Sequence, residues 1–187
     1  MIESYLLNHP WLPASLWAVL YTSDYYLTIW GARLHRRQGV YRVEGSYELT
    51  PEYQEDIDKE RLISTTFVMW LIAGAVILLA TGYLPGSRYV YGMFVGWFLV
   101  VEIGVHMRHT NNIAYYRRLA GSDPGISGQI TLTKAFSYRH SAQELAGLSL
   151  FTLMAFALTN SPILLGGGLS LAYQSAHHIS LARRRAK

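Results

Sequence analysis

Nine polar side chains stand inside otherwise apolar stretches of this chain, and their spacing is helical. Tyr21, Asp24 and Thr28 recur at i, i+3 and i+7; Glu102, His106 and His109 at i, i+4 and i+7; Ser170, Gln174 and His177 at the same interval. Each triplet therefore occupies one face of a helix. Carboxylates and imidazoles brought together from separate helices can pass protons, hold a cation or ligate a metal. An ionised carboxylate at the centre of a bilayer costs about 2.5–3.5 kcal/mol on insertion scales. Asp24 and Glu102 are accordingly read as binding groups for a substrate or ion, with Tyr21, Thr28, His106, Gln174 and His177 around them.

The run Glu102 to His109 also reads E-x3-H-x2-H. That places three ligands for a divalent metal such as Zn or Fe on one helical face, with Asp24 as a further donor and His177 able to complete the shell. A haem held by His106 and either His177 or His178 is the less favoured cofactor reading. Desaturase-like membrane enzymes carry several His-rich boxes, and this chain has seven His in all. With no Cys there are no disulfides, thiolate ligands or cysteine nucleophiles. Gly125-Ile126-Ser127-Gly128 matches the GxSG pattern around the serine of rhomboid-type intramembrane proteases. It lies in a polar loop without a placed His partner and is set aside.

These residues need long helices to position them. Five apolar segments, 11–31, 62–84, 89–107, 141–159 and 161–181, approach the ~20 residues that span a ~30 Å hydrocarbon core. The second, third and fifth are the clearest; the fourth is short and carries Glu144 near its start. The expected fold is all-α, a single membrane bundle of five transmembrane helices. Of the sixteen Lys and Arg residues, fifteen fall in the connections 32–61 and 108–140 or in the tail after Leu181, and the other, Arg88, follows the turn Pro85-Gly86-Ser87. The positive-inside rule makes the basic side cytoplasmic, with the N-terminus outside and the C-terminus inside. Met1 to Pro10 lacks a basic n-region, so no secretory leader is expected.

In that topology Asp24, Glu102 and Gln174 each follow the outer start of their segment by thirteen residues, about 20 Å at 1.5 Å per residue. They share a depth in the cytoplasmic third, while the outer part of the bundle is apolar and Gly-rich. Gly92 and Gly96, with Gly166-Gly167-Gly168, are read as close helix-packing sites. Trp11, Tyr83, Tyr89 and Tyr91 are expected at the outer interface, and Tyr25, Tyr26, Trp30, Tyr115 and Tyr116 at the inner one. On the inner side, Thr50 is expected to cap a helix that begins at Pro51 and leads through Arg61 into the second span. Asn111-Asn112 and Ser137-Tyr138-Arg139-His140 stand where they can rim the same cavity.

The net charge of +4 and pI near 9.3 reflect this topology rather than nucleic-acid binding. The expected partners are the bilayer, an anionic inner-leaflet lipid at Arg108 or Arg139, and further copies of the chain, since five helices are few for one pathway. The leading functional expectation is transport or conduction of a proton, cation or small solute. The alternative is a membrane-embedded enzyme, with or without a metal, acting on a lipid or other inner-leaflet substrate.

Overall fold

The computed structural model describes residues 2–38, 40–120 and 128–185. Residues 125–127 of the GxSG stretch, and with them most of the Gly/Ser/Asp/Pro turn region, lie outside the described residues. The chain is mostly helical, in the order α1 (Ile2–Asn8), α2 (Trp11–Arg37), β1 (Tyr41–Val43), a 3-10 turn (Pro51–Tyr53), α3 (Gln54–Asp58), α4 (Thr65–Tyr83), α5 (Arg88–Ala120), β2 (Ile130–Leu132), α6 (Lys134–Thr159) and α7 (Pro162–Arg185).

Each apolar segment corresponds to one long helix, the second and fifth starting shortly before theirs. Among the described residues three helices are long and apolar enough to cross a membrane: α4, α5 over Arg88–Leu119, and α6. The ranking expected from sequence is thus rearranged. The fourth segment qualifies within α6, which begins at Lys134, whereas α7 dilutes its apolar residues with Ser, Gln and His. Helix α2 is diluted in the same way by Ser, Thr, Tyr and Asp. Four helices also outrun their apolar segments, α2 continuing to Arg37, α5 to Ala120 and α7 to Arg185, and α6 beginning at Lys134. A lipid-length criterion stops at the first charges, but basic side chains in a last turn suit the negative end of a helix dipole.

Helix α5 is central, packing on α7 along one side and on α2 along the other; α6 covers α7, and α4 covers α2. The glycines explain how closely α5 and α7 approach. A Cβ at Gly96 would overlap the Ile163 carbonyl, and one at Gly166 would overlap the Met93 carbonyl. These are backbone-to-backbone contacts, which only small residues permit. Next to them, Ser149 Oγ donates to the Gly168 carbonyl at 2.8 Å, tying α6 to α7.

The two long connections meet in a small cap. Strands β1 and β2 pair in parallel, with Tyr41 opposite Ile130 and Val43 opposite Leu132. Residues 130–132 are therefore a short strand. Lys134 Nζ donates to the carbonyls of Ser46 (2.5 Å) and Glu48 (2.6 Å), and the Tyr138 hydroxyl to that of Leu49 (2.8 Å). Glu60 holds both Arg33 and Arg36 of α2, the former at 2.6 Å. Pro51 does open the 3-10 turn, but the Thr50 side chain makes no capping bond. No continuous helix leads into α4. Ser64 starts that helix instead, accepting from the Phe67 N–H at 3.0 Å.

Three tyrosines expected at the interfaces are core residues. Tyr25 is 5 % exposed, Tyr91 3 % and Tyr116 4 %. Tyr25 stacks on Phe67 with ring centroids 4.5 Å apart and donates to the Arg61 carbonyl at 2.7 Å. Trp11, Tyr26, Trp30, Tyr83, Tyr89 and Tyr115 remain exposed, as interfacial residues would be.

The glycine contacts set a test. Gly166→Ala should lower the thermal stability of the detergent-solubilised protein by about 1–3 kcal/mol or more, the usual cost of overpacking. Gly147→Ala on α6, where a Cβ meets nothing within 4 Å, should be neutral or stabilising by up to about 1 kcal/mol.

Candidate functional site

Helices α2, α5 and α7 converge on one cavity of about 450 Å3 beneath the cap. Tyr21, Asp24 and Thr28 line it from α2, Glu102 and His109 from α5, and Ser170, Gln174 and His177 from α7. The three faces defined by helical spacing thus meet. His106 does not line the cavity but stands behind it, and one of its ring nitrogens joins carboxylate oxygens of Asp24 and Glu102 in a cluster within 4.8 Å of one another.

Glu102 is 7 % exposed, and its Oε2 has no hydrogen-bond partner among the described residues. Asp24 Oδ1 likewise accepts no aligned hydrogen bond, although His109 Nε2 lies 3.2 Å from it. Unpartnered buried carboxylate oxygens are costly. Two such groups side by side repel unless something positive lies between or beside them. Carboxylates so placed can take up a proton or a cation.

The two histidines have different surroundings. The Thr28 hydroxyl donates to the Asp24 carbonyl at 3.0 Å, so it can only accept from His109 Nε2, 3.2 Å away. Nε2 is then the protonated nitrogen of a neutral His109. Its buried Nδ1 has no partner among the described residues. His106 Nδ1 donates to the Glu102 carbonyl at 2.8 Å, and its Nε2 lies 2.7 Å from Ser23 Oγ. Ser23 Oγ also lies 2.9 Å from the Leu20 carbonyl. Its single proton serves one of these two acceptors. Directed to His106, it leaves a neutral imidazole; directed to Leu20, it leaves Nε2 to donate as part of an imidazolium.

Not every expected grouping forms. His106 turns to Ser23 on α2, while His178 Nδ1 lies 3.0 Å from Ser141 Oγ on α6. The ring nitrogens of His106 and His178 thus address different helices. His177 is exposed at the cavity rim, its ring 6.4 Å from that of Tyr173. Arg108, expected to meet a lipid phosphate, donates to Ser141 Oγ. Asn112, Ser137 and His140 line a second cavity of about 310 Å3, which shares Glu48, Arg108 and His109 with the first. His109 therefore stands between the two spaces.

Sequence reasoning missed the roof. Glu48, Thr50, Glu52 and Tyr53 of the first connection line the main cavity, and the Tyr53 hydroxyl is hydrogen-bonded to that of Tyr21. Burial pushes the Tyr53 phenol up to about 12. Thr50, Glu52 and Tyr53 belong to the helix expected from Pro51, but a local pattern does not say that they turn toward the spans.

Comparison with known proteins gave no match to any family model, curated protein or solved structure.

The Lys134 clamp on the cap yields a pH test. Burial holds its ammonium down to about 8, from an ordinary value of 10.5. Between those two values the unfolded chain binds a proton that the folded chain does not, so stability contributed by Lys134 rises with pH across that window. Below about 8 the penalty is present in full. The melting temperature of the wild type relative to Lys134→Met should therefore rise from pH 8 to pH 10 and stay flat from pH 6 to pH 7.

Proposed function

We propose that this is a small integral membrane transporter whose site for a proton, cation or small cationic solute is built on Asp24 and Glu102. The observation that carries the reading is the cluster of two carboxylates and the His106 ring, drawn from α2 and α5 to within 4.8 Å at the wall of an interior cavity. A permeant positive charge relieves the repulsion there, and its departure restores it. Such alternation suits a site that must both load and release.

In this reading α2 and α7 cross the bilayer beside α4, α5 and α6. Each of the two packs along α5, which covers its polar face. The N-terminus is then outside, and the basic connections and tail are cytoplasmic at a plasma or inner membrane. The cavity faces the cytoplasm beneath its cap, and the Gly-tightened contact of α5 with α7 closes the outer side. Several copies of the chain assemble around one pathway, with anionic inner-leaflet lipid along the basic rim.

A second reading rests on the same cluster. Asp24, Glu102 and His106, with His109 nearby, are donors suited to a divalent metal, which would make the cavity a metal-dependent enzyme site for an inner-leaflet substrate.

Reconstituted into liposomes and driven by a pH or potential gradient, the wild type should show proton or cation flux. Asp24→Asn and Glu102→Gln should reduce it to the level of protein-free vesicles. Wild-type flux in both variants contradicts the transport reading. Stoichiometric Zn, Fe or Mn in the purified protein, lost in Glu102→Gln, favours the enzyme.

A further inference from the structure

The cavity is far larger than its charge pair requires. A bound water accounts for about 30 Å3 of liquid volume, against about 450 Å3 here. Spaces of roughly 300–1,000 Å3 are those that small organic molecules fill. A bare proton or a dehydrated inorganic ion would use a corner of it.

The lining is also of two kinds. Asp24 and Glu102 lie within it, and Glu48 and Glu52 lie under the cap; Arg108, bound to Ser141, is the one formally cationic Lys or Arg side chain among the described lining residues. The remaining wall includes Trp70, Trp97 and Tyr173, which are 53 %, 38 % and 58 % exposed. Large aromatic side chains that line a cavity and are also open to the outside join its interior to the lateral surface of the bundle. Trp97 and Tyr173 keep their ring centroids 5.9 Å apart across α5 and α7. Aromatic faces attract cations, most strongly where water is excluded. The wall thus combines acidic groups with aromatic rings that are open to the outside.

We infer that the ligand of this cavity is an amphipathic organic cation, an ammonium or phosphonium on an apolar body, which enters from the lipid past Trp70, Trp97 and Tyr173 and is held by Asp24 and Glu102. This rests on the transport reading and narrows its substrate class. The charge satisfies the unpartnered carboxylate oxygens. The apolar body occupies the volume that an ion leaves over.

Tetraphenylphosphonium and tetraphenylborate, of like shape and opposite charge, test this on the purified full-length protein by equilibrium dialysis in detergent. Saturable binding of the cation near one per chain is expected, with none of the anion. Glu102→Gln should weaken cation binding at least tenfold and Trp97→Ala severalfold, while Gly147→Ala should bind like wild type. Equal uptake of both ions, or cation uptake no greater than that of protein-free micelles, overturns the inference. So does wild-type binding by folded Glu102→Gln. If that variant does not fold, the cation–anion comparison on the wild type decides alone. Proton or potassium flux that depends on Asp24, without tetraphenylphosphonium binding, would leave the transport reading standing and remove only the organic substrate.

Discussion

Two carboxylates, one from each of two neighbouring helices, meet in the interior of a bundle whose outer surface is largely apolar. That contact is unfavourable without a positive partner, and much of the surrounding structure bears on it. Helix α2 is packed against α5 around Trp17, Val95 and Leu99, and it is braced against α3 and α4 around Tyr25, Ile29, Ile57 and Phe67. His106 and His109 approach from α5, each oriented by a hydroxyl of α2, Ser23 or Thr28. The acids are therefore presented at fixed positions rather than left to find lipid headgroups.

The cap and the glycine seam serve opposite ends of this arrangement. At one end, Lys134, Tyr138 and Glu60 anchor the long connection so that Glu48 and Tyr53 roof the cavity. At the other, Gly96 and Gly166 bring α5 and α7 into backbone contact, leaving no room there for a side chain or a solute. His109, shared by both cavities, is where a change at the acids would first be felt by the cap.

Much of this was legible in the sequence, for identifiable reasons. Helical periodicity is local, so the faces of Asp24 with Thr28, Glu102 with His109, and Gln174 with His177 could be read from spacing, and all three line one cavity. The helix ends were not legible, because Arg33, Arg36 and Arg37 end a lipid-compatible segment without ending a helix. Interfacial placement failed for Tyr25, Tyr91 and Tyr116, since a ring two-thirds apolar serves a core equally well when a neighbour such as Phe67 is available. The turning of His106 toward Ser23, the Ser141 partnership of Arg108 and the roof over Tyr21 are contacts between distant parts of the chain, and no interval in the sequence encodes them.

The claim on which the account turns is that Asp24 and Glu102 share one interior site in the membrane. Solid-state NMR of the protein in lipid bilayers, with Asp and Glu side-chain carboxyls labelled, measures this without any assumption about function. A through-space contact between the Asp24 and Glu102 carboxyl carbons, assigned by its loss in Asp24→Asn, is the predicted result. Its absence, in bilayers where the Ser23–His106 contact between the same two helices is observed, would contradict the account.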